Sequence, residues 1–68
     1  MKDEVLNLSI RKYLKTVGIN SQLAIEKAVH QAVRENTLTG NETLPIQMTL
    51  SVNGLSLHLS FDGELHLE

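Results

Sequence analysis

From Ile46 to Phe61 polar and apolar residues alternate almost without error. Ile46, Met48, Leu50 and Val52 alternate with Gln47, Thr49 and Ser51. After Asn53-Gly54, Leu55, Leu57, Leu59 and Phe61 alternate with Ser56, His58 and Ser60. A period of two places every apolar side chain of this stretch on one face of a strand pair. Asn-Gly is the preferred pair for a two-residue type I′ turn, in which both central residues take positive φ. Such a turn pairs Val52 with Leu55, Leu50 with Leu57, Met48 with Leu59 and Ile46 with Phe61, all on the apolar face. Strands are therefore expected over about 46–52 and 55–60.

The N-terminal half follows a different period. Leu6, Ile10, Tyr13, Leu14 and Val17 recur at helical spacing, which predicts a helix over about 3–17. Asp3 and Glu4 in its first turn and Lys15 near its end suit the helix dipole, and Gly18 reads as the stop. Asn20 or Ser21 caps a second helix to about residue 35, with Ile25, Ala28, Val29, Ala32 and Val33 as its apolar stripe. A polar loop from Asn36 to Pro45 follows, with Leu38 as its anchor and Pro45 at the start of an edge strand.

The C-terminus admits two readings. Leu65 and Leu67 continue the odd-numbered apolar series, as one long strand would. Asp62-Gly63 argues for a turn, and a three-residue loop of Phe61, Asp62 and Gly63 pairs Leu59 with Leu65 and Leu57 with Leu67. The second reading is preferred and gives a third strand over about 64–67. The expected fold is α+β: two N-terminal helices on one face of a small antiparallel meander, α-α-β-β-β, in one domain spanning 1–68.

Composition narrows the function. A chain of 68 residues buries only about 60% of the surface its unfolded form exposes. Tyr13 and Phe61 are the only aromatic residues, so a core is built from Leu, Ile, Val and Ala. There is no cysteine, which excludes disulfides, thiolate metal sites and a cysteine nucleophile, and fits a cytoplasmic protein. No apolar run reaches the roughly 18 residues of a membrane span, and no signal-peptide pattern opens the sequence.

Charge is divided unevenly. Lys2, Arg11, Lys12, Lys15, Lys27 and Arg34 all precede residue 36, against Asp3, Glu4, Glu26 and Glu35, whereas Glu42, Asp62, Glu64 and Glu68 have no cation near them in sequence. A mildly basic helical layer beside an acidic sheet suits self-association or a partner of mixed charge, and falls short of the basic stripe of a nucleic-acid protein.

Candidate chemistry is sparse. The four glycines are isolated, so there is no phosphate-binding loop. Ser60, His58 and Asp62 compose a triad on paper, but on one flat strand face without an oxyanion hole. In the preferred meander His58 faces His66, with Glu64 and Glu68 alongside, a set that could bind Zn²⁺ or Ni²⁺; solvated surface histidines are the better account. His30 reads as a surface residue. No catalytic residue, cofactor or metal ligand is assigned. The candidate interaction surface is Leu8 within the basic rim of Arg11, Lys12 and Lys15.

The segments Asn7-Leu8-Ser9-Ile10-Arg11-Lys12-Tyr13-Leu14-Lys15, Val17-Gly18, Ser21-Gln22, Ile25-Glu26-Lys27-Ala28-Val29, Glu42-Thr43-Leu44 and Met48-Thr49-Leu50 span most of the chain. On these the sequence resembles an uncharacterised family of short bacterial proteins. The resemblance implies bacterial origin and supports no catalytic residue. Asn20 stands where that family pattern leads us to expect threonine, and either residue caps a helix.

The functional expectation is a non-enzymatic protein-interaction module that forms a homodimer, through open strand edges or through the Leu8 face. The alternative is a small regulator that binds nucleic acid through the basic face of the first helix.

Overall fold

The computed structural model describes all 68 residues. The order is α1 (Asp3–Arg34), β1 (Thr43–Ser51) and β2 (His58–His66), with the two strands antiparallel. This α-β-β order corrects the expected α-α-β-β-β meander. One 32-residue helix replaces the helices expected over 3–17 and 20–35, and two strands replace the three expected over 46–52, 55–60 and 64–67.

Gly18 lies inside α1 and does not end it. A glycine stop works by taking a left-handed φ, and Gly18 does not. Glycine in a helix interior costs about 1 kcal/mol relative to alanine. Nucleating a separate helix, with a nucleation constant on the order of 10⁻³, costs about 4 kcal/mol, so propagation through Gly18 wins. Asn20 and Ser21 thus serve as interior residues. Carried through at steps of three and four, Leu6, Ile10, Leu14, Val17, Ile25, Ala28 and Ala32 share one side of the long helix.

The helix does end where the sequence predicts. Asn36 takes φ 61, its N–H donates to the Val33 carbonyl (3.1 Å), and Thr37 N–H donates to Ala32 (2.8 Å). This pair of bonds around a left-handed residue is a Schellman motif, with asparagine in glycine's place.

In the hairpin, Leu44 faces Leu65, Ile46 faces Gly63, Met48 faces Phe61 and Leu50 faces Leu59. The intervening pairs, Thr43 with His66, Pro45 with Glu64, Gln47 with Asp62, Thr49 with Ser60 and Ser51 with His58, make the polar face. Val52, Leu55 and Leu57, expected in the ladder, lie in the wider loop between the strands. Residues within the strands keep their expected faces, but the expected register is displaced by two positions. Its cause lies in the turn. Leu55 N–H donates to the Val52 carbonyl (3.2 Å), and Gly54 takes φ 90 while Asn53 keeps negative φ. Positive φ at the second central residue alone belongs to a type II turn, whose twist does not match that of the flanking strands. The strands therefore close further out, at Ser51 and His58. A slip of two keeps every side chain on its face; a slip of one would invert the faces.

The expected turn at Asp62-Gly63 is absent, and both residues lie within β2. Continuing the strand pairs residues 62–66 with 43–47 and lengthens one ladder, where a meander would leave a short third strand. The Leu67 N–H to Glu42 carbonyl bond (3.0 Å) extends that ladder and marks Glu42 and Leu67 as a pair that exchanges hydrogen bonds. Such pairs alternate along an antiparallel ladder. Leu44, Ile46, Met48 and Leu50 thus turn their N–H and C=O groups toward β2, while Thr43, Pro45, Gln47, Thr49 and Ser51 turn theirs to the free edge. Pro45 removes no ladder bond at such a position, and this is why β1 runs through it.

The chain divides into two compact units, Met1–Thr37 and Leu38–Glu68. No residue in either is buried. Phe61 is 58% exposed on the hairpin's apolar face, and Leu6 and Ile10 are each 47% exposed on the helix.

Candidate functional site

The surface singled out from sequence lies on the first half of α1. Leu8, Arg11, Lys12 and Lys15 are all exposed, and their spacing of three and four puts them along one side of the helix. Leu8, at 68% exposure, is among the most open of the helix's large apolar residues. Thr16 Oγ1 donates to the Lys12 carbonyl (3.2 Å), leaving the lysine's ammonium free of that contact. A shallow dip formed by Met1, Lys2, Val5, Leu6 and Ser9 near the helix N-terminus is open to solvent and offers no enclosed cavity. No helix is long and apolar enough to cross a membrane.

The polar face of the hairpin carries the remaining chemistry. The expected juxtaposition of His58 and His66 is overturned, because both lie on β2 and close its two ends. Eight residues at about 3.4 Å each separate them by roughly 27 Å, so one metal ion cannot join them. His66 Nδ1 lies 3.2 Å from Thr43 Oγ1, and His58 faces Ser51. No group of three or more acidic, histidine or cysteine side chains has metal-binding geometry. Of the paper triad, Asp62 Oδ1 instead accepts a hydrogen bond from Gln47 Nε2 (3.1 Å), and Ser60 faces Thr49.

One arrangement was missed from sequence. In the loop before β1, the Glu42 carboxylate collects three backbone donors. Thr39 N–H reaches Oε2 at 2.8 Å, while Gly40 and Asn41 N–H reach Oε1 at 2.9 and 3.2 Å. Gly40 takes φ 106 to turn its amide inward, and Thr39 Oγ1 bonds Asn41 Oδ1 at 2.6 Å. The amide bonds, that from Thr39 first, hold the Glu42 carboxyl down at about 2 from its ordinary 4.5. The signal was Thr-Gly-Asn-Glu itself, a glycine turn followed at once by a carboxylate. The three amide bonds make the carboxylate a structural staple of the loop.

The hairpin also carries an apolar face. Leu44, Ile46, Met48 and Leu50 lie beside Leu59, Phe61 and Leu65. Met48 and Leu59 are 43% and 49% exposed, and the outer leucines are half-buried.

With this geometry in view, comparison with known proteins identifies a family. The model of a family of unknown function, DUF6494, covers residues 1–68. The chain belongs to this family. The match agrees with the resemblance read from the sequence, and the family's description assigns no activity. No curated protein and no solved structure matches the chain.

Proposed function

We propose that this chain is a non-enzymatic protein-interaction module that works as a self-associated assembly, with a cytoplasmic setting as part of the same proposal. One observation supports the reading: none of the 68 residues is buried, although the helix and the hairpin each carry an organised apolar surface. An isolated two-stranded hairpin is at best marginally stable in water, and long helices gain most of their stability from packing. Contiguous apolar surface of this kind marks an association site. A second copy is the partner always at hand, and a closed two-fold assembly hides the same patch on both copies.

Sedimentation equilibrium at tens of micromolar tests the proposal. The expected mass is a multiple of 7.6 kDa; a mass of 7.6 kDa overturns the reading. Apolar association should also persist as salt rises, whereas binding of a nucleic acid through Arg11, Lys12 and Lys15 would weaken steeply with salt as counterions return.

A further inference from the structure

Each edge of the hairpin could receive another strand, and the two edges differ. On β1 the outward-facing backbone belongs to Thr43, Pro45, Gln47, Thr49 and Ser51, and Pro45 has no N–H to offer. On β2 it belongs to His58, Ser60, Asp62, Glu64 and His66, without interruption. An edge with a full row of unpaired donors and acceptors is a template for strand addition. The β2 edge also carries both carboxylates and imidazoles, with Asp62 and Glu64 between the two histidines.

We infer that two copies join β2 to β2 in antiparallel fashion, with the two-fold axis at Phe61, so that His58 of each copy faces Glu64 of the other. This inference rests on the self-association proposed above and names its surface. The strand's own sequence selects the register. Only registers that set outward-facing residues against one another form the ladder. An axis at Asp62 allows the longest overlap, but places two aspartates opposite each other, and like charges directly opposed are destabilising. An axis at Gly63 opposes Asp62 to Glu64 twice. The axis at Phe61 opposes Ser60 to Asp62 and His58 to Glu64, each twice. The Glu64 carboxylate can accept a hydrogen bond from an imidazole N–H, and the Asp62 carboxylate one from the Ser60 hydroxyl. Neither Glu64 nor His58 has a charged partner within its own hairpin, where they face Pro45 and Ser51. On the apolar side the same register sets Phe61 against its symmetry mate in a close, non-hydrogen-bonded pair. The result is a four-stranded sheet with one continuous apolar face, beyond the three-strand minimum for independent stability.

The absence of native cysteine allows a direct test by single-cysteine cross-linking in the full chain. At an axis on Phe61, Phe61→Cys places two Cα atoms about 4.5 Å apart, within disulfide range. Asp62→Cys places them about 7–8 Å apart, outside that range. The expected result under mild oxidation is conversion of the Phe61→Cys dimer to a covalent one, with Asp62→Cys and Leu59→Cys at background. Efficient cross-linking through Asp62→Cys alone overturns the register, and background levels at all three positions overturn the β2 edge. Ser60→Pro provides the second arm, because it removes an outward N–H at the kind of position Pro45 already occupies in β1. It should abolish the dimer by sedimentation, while Thr49→Pro on the β1 edge leaves it intact. A dimer that survives Ser60→Pro overturns this edge and leaves self-association standing, whereas a monomeric parent chain overturns the proposed function itself.

Discussion

Gln47 donates to Asp62 across the hairpin, Nε2 to Oδ1 at 3.1 Å, at the place where Asp62-Gly63 reads as a turn. That contact holds the dipeptide extended, and the next residue sits on the apolar face opposite Ile46. A Cβ added to Gly63 would lie 3.5 Å from Ile46 Cγ2, an ordinary van der Waals distance.

Gly63→Ala should therefore stabilise the hairpin, by roughly 0.5–1 kcal/mol, since strand glycine carries an entropic penalty and the methyl group gains a neighbour. Gly54→Ala should do the reverse, by about 1 kcal/mol, because Gly54 holds φ 90, a conformation costly for any residue with a Cβ. Thermal or urea unfolding of the two variants beside the parent checks the opposite signs. A destabilised Gly63→Ala would restore the turn at this position.

Gly18→Ala should raise helix stability by about 1 kcal/mol. Gly18 does not adopt positive φ, and no heavy atom lies within 4 Å of its added Cβ. Circular dichroism through a thermal melt would record the gain. A helix-stopping glycine would respond with a loss, since alanine does not take its left-handed conformation without strain.

The Glu42 clamp gives the loop a pH dependence. Its folded pKa of about 2 lies below the ordinary 4.5, so the stabilisation is fully present above pH 4.5 and is lost as pH falls toward 2. The protection factors of the Thr39, Gly40 and Asn41 amides, relative to their intrinsic exchange at each pH, should fall over that window. Glu42→Ala should show low protection at those amides at neutral pH and no further loss of protection on acidification.

Leu8→Glu distinguishes the helix surface from the strand edge. Leu8 stands exposed among Arg11, Lys12 and Lys15, and a carboxylate is tolerated there if that side stays in water. The expected sedimentation behaviour is that of the parent assembly. Dissociation would transfer the interface to the helix.

The sequence by itself determined what depends on near neighbours. Period-two alternation assigned each residue of the hairpin to its face, and a slip of two in register left those assignments untouched. Likewise the 3.6-residue period marked both halves of the helix, and Asn36 provided its end. The sequence also carried the family resemblance from Asn7 to Leu50, the absence of cysteine, and the exposed Leu8, Arg11, Lys12 and Lys15 surface. Tertiary structure decided the matters in which two local signals compete. Gly18 and Asp62-Gly63 are breakers by composition, yet each lies within an element because continuing a helix or a ladder gains more than restarting one. Register was decided at Gly54, whose lone positive φ gives a type II turn and a wider loop in place of the two-residue one that Asn53-Gly54 suggests. The continuation of β2 through Asp62-Gly63, in place of a turn there, set His58 and His66 at opposite ends of one strand. The amide clamp on Glu42 also needed three-dimensional placement, since a carboxylate meets three consecutive N–H groups only when the loop has already turned at Gly40.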